Sequence, residues 1–194
     1  FKMVRLLITG SPGVGKTTVA MELSKALNVA LIDINEVIKS LLKWDPGLST
    51  NYVTDVEKAR ELIKGRLSGL NSYIVDTVAI NLIDRELIDW CIVLRLNPVE
   101  LMRRLLSRNW PRCKVVENVL AEVVGSSLSM AIDLFGKDRV IEVDTTNRGV
   151  QDIVKYIISH ISSGNGVVGV VDWLEVLDTD FLISLSRELD ECRA

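Results

Sequence analysis

Short apolar runs alternate with amphipathic stretches along most of the chain. Residues 4–9 form a short, mainly apolar run rich in β-forming residues, which is typical of a strand buried on both faces. Residues 17–27 instead repeat their apolar side chains at helical spacing and predict an amphipathic helix. The same alternation continues, and it predicts further strands at residues 29–32, 72–75, 90–96 and 139–143.

Helical spacing marks the stretches between these predicted strands. Because strands and helices alternate, we expect a parallel sheet with helices on both faces. The expected fold is therefore a three-layer α/β fold around five parallel strands, with ligands bound at the carboxyl ends of the strands. The predicted helices after the first are residues 35–43, 53–67, 99–107, 114–135 and 149–161.

The C-terminal part of the chain follows a different pattern. Residues 162–166 are polar and rich in serine and glycine, which indicates a linker. Residues 173–189 then predict one appended helix. We interpret the chain as a domain at residues 1–163 with an extension at residues 164–194.

Composition and charge narrow the class of protein. The chain has 194 residues, of which 48% are hydrophobic and 25% charged, a balance that suits one sizeable globular core. The formal net charge of −3 argues against binding nucleic acid over the whole surface, although a local basic patch is compatible with it.

The cysteines and the N-terminal segment bear on the cellular compartment of the protein. Cys91, Cys113 and Cys192 are far apart and form no C-x-x-C motif, so they predict free thiols in a reducing compartment and no zinc site. The chain also shows no signal-peptide pattern and no apolar run long enough to span a membrane. We therefore expect a cytoplasmic protein without a membrane partner.

The stretch GSPGVGKTT at residues 10–18 fits the pattern G-x-x-x-x-G-K-[ST] between a predicted strand and a predicted helix. Gly13 and Gly15 let the backbone approach an anion closely. Successive N–H groups at the start of the helix can then surround phosphate oxygens. The stretch predicts a loop that binds the phosphates of a nucleotide.

Side chains at the end of this loop fit the same purpose. The Lys16 ammonium can bridge the outer phosphates, and the Thr17 hydroxyl can ligate Mg²⁺. Thr18 lies one residue further along and can reach the innermost phosphate. An ordinary strand-to-helix turn would not need a lysine at this position.

Two aspartates end predicted strands. Asp76 follows the strand at residues 72–75, and in a parallel sheet that end lies beside the phosphate loop, so its carboxylate can hold Mg²⁺. Asp33 ends the strand at residues 29–32 in a similar way. It can orient an acceptor substrate, lie in the second coordination shell of the metal, or be an ordinary turn aspartate.

A basic segment follows the fourth predicted strand. Residues 101–114 contain five cations and no acid, around a break at Asn109, Trp110 and Pro111. Two helices joined at such a break predict a lid whose arginines neutralise a phosphoryl group in transfer. A solvated basic face or an RNA contact is the alternative. The leading candidates are Arg108 and then Arg104.

A loop after the fifth strand offers a place for the nucleotide base. Residues 142–147 combine small polar side chains with a position at the sheet edge, which suits contact with an adenine ring. A polar turn that caps the next helix explains the same residues.

Several protein classes share the phosphate loop. A GTPase would read its base with N-K-x-D, which the chain lacks. A motor of the AAA type would need an acidic pair where the chain has the single Asp76, and a larger body. Small-molecule kinases place an acceptor-binding insert between the second and third strands and a lid after the fourth. The chain has stretches in both places, at about residues 34–70 and 108–118.

Four segments together carry a family resemblance. GSPGVGKTT, IVDT, SRNWP and VDTTN resemble the atypical adenylate kinase family, the isoenzyme-six type of archaea and eukaryotic nuclei. The resemblance covers roughly residues 4–160, and the segment GVVGVVDWLEVL is similar to the tails of archaeal members.

This resemblance implies both a reaction and a partner. Family members convert ATP and AMP to two ADP with Mg²⁺, tolerate several nucleotides and show ATPase activity. They also act in late maturation of the small ribosomal subunit, where they bind a platform ribosomal protein and promote cleavage at the 3′ end of the rRNA. ATP, AMP and that ribosomal protein are thus the implied partners, with pre-ribosomal RNA an indirect one.

The motifs carry residue roles to this chain. The implied catalytic residues are Lys16, Arg108, Asp76 and Arg104, and the metal ligands are Thr17 and Asp76. Asp33 and Lys39 are expected at the monophosphate. The implied ATP contacts are Gly13, Gly15, Lys16, Thr17, Thr18 and Arg108.

Three positions depart from the family pattern. Val78 stands where a histidine is common, which bears on the strength of ATP hydrolysis. Lys39 replaces an arginine and loses its planar fork, although it can still hold a monophosphate. The lid reads Arg108-Asn109-Trp110 where Arg-Gly-aromatic is usual.

Two other functions remain open on the sequence alone. One is a kinase for a small hydroxy acceptor similar to shikimate or gluconate, for which Asp33 is suited. The other is an ATP-driven assembly switch with little kinase activity. Residues 172–193 carry seven acids and two arginines, a charge of −5, which suits a basic ribosomal protein or a solvated helix face.

Overall fold

The computed structural model describes residues 3–47 and 50–193. Through residue 163 the order of strands and helices largely follows the hydrophobic pattern. The strands are β1 (Arg5–Thr9), β2 (Ala30–Asp33), β3 (Leu42–Asp45), β4 (Thr50–Val53), β5 (Tyr73–Asp76), β6 (Trp90–Arg95) and β7 (Val140–Asp144). The α-helices are α1 (Lys16–Leu27), α2 (Ile34–Val37), α3 (Val56–Ser68), α4 (Pro98–Ser107), α5 (Arg112–Val123), α6 (Ser126–Phe135), α7 (Val150–Ser163), α8 (Trp173–Val176) and α9 (Thr179–Arg193).

Five strands form one parallel sheet in the order β2-β5-β1-β6-β7. Alternate residues of β1 point to opposite faces, so Leu6 and Ile8 join one core cluster and Leu7 the other. Each cluster includes helices on its own side of the sheet. The expected three-layer α/β fold is confirmed.

The order of the strands places the phosphate loop at the centre of the sheet. β1 lies between β5 and β6, and Ile8 is in register with Asp76 on one side and Ile92 on the other. The carboxyl end of β1 therefore opens beside the ends of both neighbours. This is the edge at which such folds bind ligands.

The prediction of a helix at residues 35–43 is wrong. α2 covers only Ile34–Val37, a single 3₁₀ turn covers Lys39–Leu41, and β3 then pairs with β4 in an antiparallel hairpin. The Asp45 carboxylate accepts a hydrogen bond from Gly47 N at 2.8 Å, a local bond that favours a turn over a helix. Leu42 and Val53 pair across the two strands and pack against the core, which favours the hairpin over a helix.

The prediction of one helix at residues 114–135 is also wrong. α5 ends at Val123 and α6 begins at Ser126, because Gly125 adopts a left-handed conformation with φ of 66°. Within the described ranges no single helix is long and apolar enough to cross a membrane. The pair α5 and α6 passes that test only when joined, across a bend of 54°.

The C-terminal extension packs against the edge of the sheet. Val167 runs parallel to β7, where its N–H donates to Val140 O at 2.8 Å and its carbonyl accepts from Glu142 N at 2.7 Å. The predicted single helix at residues 173–189 is instead two, α8 and α9. Trp173 and Leu185 are buried, and Leu185 belongs to the core cluster of the main sheet.

Two of the cysteines are not free thiols. Cys113 at the start of α5 and Cys192 at the end of α9 form a disulfide, and only Cys91 is free and buried. The interpretation of three free thiols, on which the expectation of a reducing compartment partly rested, is therefore wrong. The two partners lie 79 residues apart in sequence, so only the docking of α9 along α5 brings them together.

Candidate active site

The loop from Gly10 to Gly15 joins the centre of the sheet to α1. Gly10, Gly13 and Gly15 have φ values of 138°, 94° and 104°, which side chains other than glycine rarely adopt. A Cβ on Gly10 would also lie 2.5 Å from Leu94 O. The backbone of the loop is therefore possible only with glycine at these places.

The helix α4 packs directly on this loop. A Cβ on Gly13 would lie 2.9 Å from Leu105 Cδ2 and 3.0 Å from Leu101 Cδ1. Both leucines are fully buried. This contact fixes the C-terminal end of α4, and with it Arg108, beside the loop.

The Lys16 ammonium lies inside the loop. Its Nζ donates to the carbonyl oxygens of Gly10 and Ser11, each at 3.0 Å. Burial lowers the pKa of Lys16 to about 8, and the Arg108 charge also lowers it, while the charges of Asp76 and Glu122 oppose the shift. An anion that enters the loop can take the place of the two carbonyls.

Thr17 and Asp76 meet across the edge of the sheet. Thr17 Oγ1 donates to Asp76 Oδ2 at 2.7 Å. A hydroxyl and a carboxylate are the hard oxygen ligands that Mg²⁺ accepts, and Mg²⁺ typically uses one or two protein groups together with phosphate oxygens and water. The two residues therefore fit a Mg²⁺ ion that arrives with a nucleotide.

Arg108 caps the C-terminus of α4 at the lid break. Its charge lowers the pKa of Lys16, so the two cations lie close enough to repel each other. Across residues 3–47 and 50–193, the Arg108 side chain has no ion pair or side-chain hydrogen bond. An exposed guanidinium beside a second cation, without a carboxylate of its own, is suited to an anionic ligand.

The other lid cations are largely neutralised. Arg103 and Arg104 both bind Glu100, at 2.7 and 2.9 Å, and these hydrogen bonds hold the pKa of Glu100 at about 2. Arg112 binds Glu188 of α9 at 2.6 Å. The catalytic role expected of Arg104 stays a prediction, and it requires the guanidinium to leave Glu100.

The two residues expected at a monophosphate lie on different elements, Asp33 at the end of β2 and Lys39 in the insert that follows. Asp33 is in register with Asp76 on the neighbouring strand, and its carboxylate caps α2 by accepting from Asn35 N at 2.9 Å. Lys39 is exposed and pairs with Glu36 at 3.4 Å. Asp33 therefore performs the turn role that the sequence left open, and acceptor binding by either residue stays a prediction.

The loop after β7 is tied to the loop after β6. Thr145 donates to Arg95 O through both its N–H and its hydroxyl, at 2.9 and 2.8 Å. Thr146 Oγ1 accepts from Asn97 N at 2.9 Å. The threonine hydroxyls thus hold backbone in place, and contact with a base stays a prediction for this loop.

Sequence reasoning missed a buried ionic cluster behind the phosphate loop. Arg95 binds Glu122 at 2.8 Å and Glu142 at 2.6 Å, and all three side chains are at most 3% exposed. A signal for it exists, because Arg95 and Glu142 interrupt apolar runs of two strands that pair in the sheet. Opposite charges in neighbouring buried strands predict such a pair.

A cleft of about 920 Å³ lies at the other end of the sheet. Arg5, Asp89 and Trp90 line it, and the first two form an ion pair at 2.6 Å. The glycine loop, Lys16 and Asp76 lie at the carboxyl ends of the strands instead. The candidate active site therefore lies at the opposite edge of the sheet from this cleft.

A family model described as "AAA domain" matches residues 6–125. The matched part contains the phosphate loop, Asp76 and Arg108, and it ends before β7. The prediction that the chain is not a motor of the AAA type rests on the single acid at Asp76 and on the size of the chain, and it stays a prediction.

Curated relatives from archaea cover nearly the whole chain. A protein of Methanocaldococcus jannaschii is 37% identical over 89% of this chain and 94% of its own length. One from Pyrococcus abyssi is 36% identical over 89% and 93%, and one from Sulfurisphaera tokodaii is 33% identical over 94% and 93%. All three carry the name "Putative adenylate kinase".

A gluconokinase and a shikimate kinase are among the solved structures with the same fold. A gluconokinase from Sinorhizobium meliloti superimposes with a TM-score of 0.53 at 15% identity, over 84% of this chain and 93% of its own. A shikimate kinase from Bacteroides thetaiotaomicron gives 0.50 at 17% identity, over 82% and 98%. At these identities the likeness shows the fold alone.

Proposed function

The chain belongs to the adenylate kinase family of these archaeal relatives, and we propose that it transfers the terminal phosphoryl group of ATP to AMP. One observation carries this proposal. Lys16, Thr17 with Asp76, and Arg108, which has no ion pair among the described residues, converge on one loop at the carboxyl edge of the sheet. These are the groups that phosphoryl transfer requires for charge and position.

The phosphate loop supplies binding in this proposal. Backbone N–H groups surround the outer phosphates, and the Lys16 ammonium exchanges the carbonyls of Gly10 and Ser11 for phosphate oxygens. Thr17 and Asp76 would hold Mg²⁺, which neutralises charge on the phosphates when it is bound. The binding of charged phosphates then relieves the repulsion between Lys16 and Arg108.

The transfer step is a direct displacement. An oxygen of the AMP phosphate forms a bond to the terminal phosphorus of ATP, and the bond from that phosphorus to the bridging oxygen breaks. Both products are ADP, and no covalent enzyme intermediate forms. Arg108 approaches the phosphoryl group as charge redistributes over its oxygens, and closure of the lid excludes water.

A comparison of acceptors tests this proposal. The purified protein is incubated with Mg²⁺, ATP and one acceptor at a time, namely AMP, the other monophosphates, gluconate or shikimate. With the wild type, we expect ADP to form fastest when AMP is the acceptor. With the variant Lys16→Ala, we expect ADP to form only at the background rate. Turnover with a hydroxy acid and none with any monophosphate would overturn it.

A role in maturation of the small ribosomal subunit also belongs to the proposal, because the resemblance implies it. The acidic surface of α8 and α9 supports this role, since it suits a basic ribosomal protein. The test is ATP hydrolysis without an acceptor, with and without the platform ribosomal protein. Stimulation is expected, and unchanged hydrolysis together with no binding in a pull-down would contradict the role.

A further inference from the structure

Glu122 is a buried carboxylate next to the phosphate loop that the proposed mechanism does not use. It lies on α5, and its side chain is 1% exposed. Oε2 accepts from Ser11 Oγ at 2.7 Å. Oε1 accepts from three further donors, which are Arg95 Nε at 2.8 Å, Leu96 N at 3.2 Å and Trp173 Nε1 at 3.0 Å.

This arrangement leaves Glu122 little freedom. A buried carboxylate is strongly disfavoured unless donors satisfy it, and here both oxygens are occupied. The donors come from the loop, the central sheet and the C-terminal extension. Any rotation of the carboxylate would therefore break several bonds together.

One arm of the arrangement reaches the phosphate loop. Ser11 is itself 4% exposed, and its hydroxyl has Glu122 as its partner. The carbonyl of the same residue accepts from Lys16 Nζ at 3.0 Å. The Glu122 charge also opposes the fall in the pKa of Lys16 that burial causes. Glu122 thus fixes the residue that holds the lysine.

The other arm reaches the C-terminal extension. Trp173 is 3% exposed, and its ring centroid lies 5.9 Å from the Arg95 guanidinium. Nearby, Val170 N donates to Glu142 Oε2 at 2.8 Å, and Glu142 Oε1 accepts from Arg95 at 2.6 Å. The extension therefore donates one hydrogen bond to each of the two carboxylates of the ionic cluster.

We propose that Glu122 is a positioning residue that sets the phosphate loop through Ser11, and that Trp173 of the C-terminal extension keeps it in place. A loop ordered before the nucleotide arrives loses less conformational entropy on binding. The proposal rests on the proposed function only in that the loop binds a nucleotide. Trp173 acts on that binding through Glu122.

Single and double variants test this coupling. Titration calorimetry with ADP and Mg²⁺ compares the wild type with Ser11→Ala, Trp173→Phe and the double variant. We expect each single change to weaken binding about fivefold, the size of one lost hydrogen bond. The double variant should bind no more weakly than Ser11→Ala, because Trp173 then has no route to the loop.

Two further variants separate positioning from general stability. Ser11→Thr keeps the hydroxyl and should bind ADP as the wild type does. Trp90→Phe makes the same indole change at the other end of the sheet and should leave ADP affinity unchanged. Thermal unfolding of every variant shows which ones are folded.

Several outcomes would overturn the inference. Equal ADP affinities for wild type, Ser11→Ala and Trp173→Phe would do so, as would independent effects in the double variant. If Trp173→Phe fails to fold, the two Ser11 variants still test the inference. Equal ADP affinities of Ser11→Ala and Ser11→Thr would then contradict it. If the wild type binds ADP but does not phosphorylate AMP, the result contradicts the proposed function and leaves this inference standing.

Discussion

At the scale of single residues, the candidate site is a set of charges held in unfavourable surroundings. Lys16 is desolvated and near Arg108, and its compensation comes from backbone carbonyls and the acids Asp76 and Glu122. Such a site lowers the stability of the nucleotide-free protein, and its cations gain an oppositely charged partner when phosphates bind. Substitution of either cation, Lys16 or Arg108, therefore has a measurable consequence.

The change Lys16→Met should make the nucleotide-free protein at least as stable as the wild type. The folded pKa of about 8 lies below the unfolded value of 10.5, so the unfolded chain binds more protons between these values. Stability of the wild type therefore rises with pH through this window, and the lysine is unfavourable below it. Thermal unfolding at pH 7 and pH 9.5 measures both effects, and a lower midpoint for Lys16→Met at pH 7 would contradict the argument.

Arg108→Ala should slow phosphoryl transfer much more than it weakens binding of ATP. We expect kcat to fall roughly a hundredfold or more, the size reported for one preorganised charge at a transition state. Steady-state kinetics and calorimetry separate the two effects. Arg103→Ala is the matched control, because Arg103 is exposed and paired with Glu100. A loss confined to affinity would remove the proposed role of Arg108.

At the scale of elements, the structure departs from the predicted helices in the stretch after β2 and at residues 114–135. The stretch after β2 has enough apolar residues for a helix, yet the Asp45 turn and the pairing of Leu42 with Val53 make it a hairpin. The stretch at residues 114–135 reads as one helix, yet the left-handed Gly125 divides it. Helical spacing alone reports neither a distant pairing partner nor a φ value.

Alanine substitutions at two glycines, one in contact with neighbouring backbone and one in open space, test the packing of the extension. Gly166→Ala should destabilise the protein by about 1–3 kcal/mol, because its Cβ would lie 2.5 Å from Lys137 O. Gly65→Ala in α3 meets no atom within 4 Å and should instead stabilise by about 0.5–1 kcal/mol. Urea unfolding measures both, and equal midpoints would show that the extension does not pack as described.

At the scale of the whole molecule, the extension joins parts of the chain that are remote in sequence. It continues the sheet beside β7, it reaches the ionic cluster through Trp173, and it meets the start of α5 through a disulfide and the Arg112–Glu188 ion pair. The start of α5 directly follows the lid break. Closure of a lid would therefore have to accommodate the position of α9.

Reduction of the Cys113–Cys192 disulfide should lower global stability. The bond closes a long loop of the unfolded chain, and removal of such a bond typically costs about 2–4 kcal/mol. Urea unfolding with and without reductant gives the difference. The double variant Cys113→Ser/Cys192→Ser should show no response to reductant, and a wild type that also shows none would mean that the bond does not form in solution.

The sequence by itself determined the sheet, the helical layers and the location of the phosphate loop. Buried strands need apolar runs whatever surrounds them, and an anion loop of this type needs glycines and a lysine at set spacing, so both can be recognised locally. Lys16, Thr17 and Asp76 come together because the carboxyl ends of neighbouring parallel strands share one edge, whereas Arg108 joins them because α4 packs on the phosphate loop.

Only the tertiary structure decided what depends on contacts between distant segments. The Glu122 cluster, the disulfide and the packing of Trp173 each join residues that no local pattern connects. The roles predicted for Asp33 and Arg104 stay predictions, and the fold adds that nearby groups already occupy both side chains. A sequence shows which charges are present, and the fold decides which of them remain free to meet a ligand.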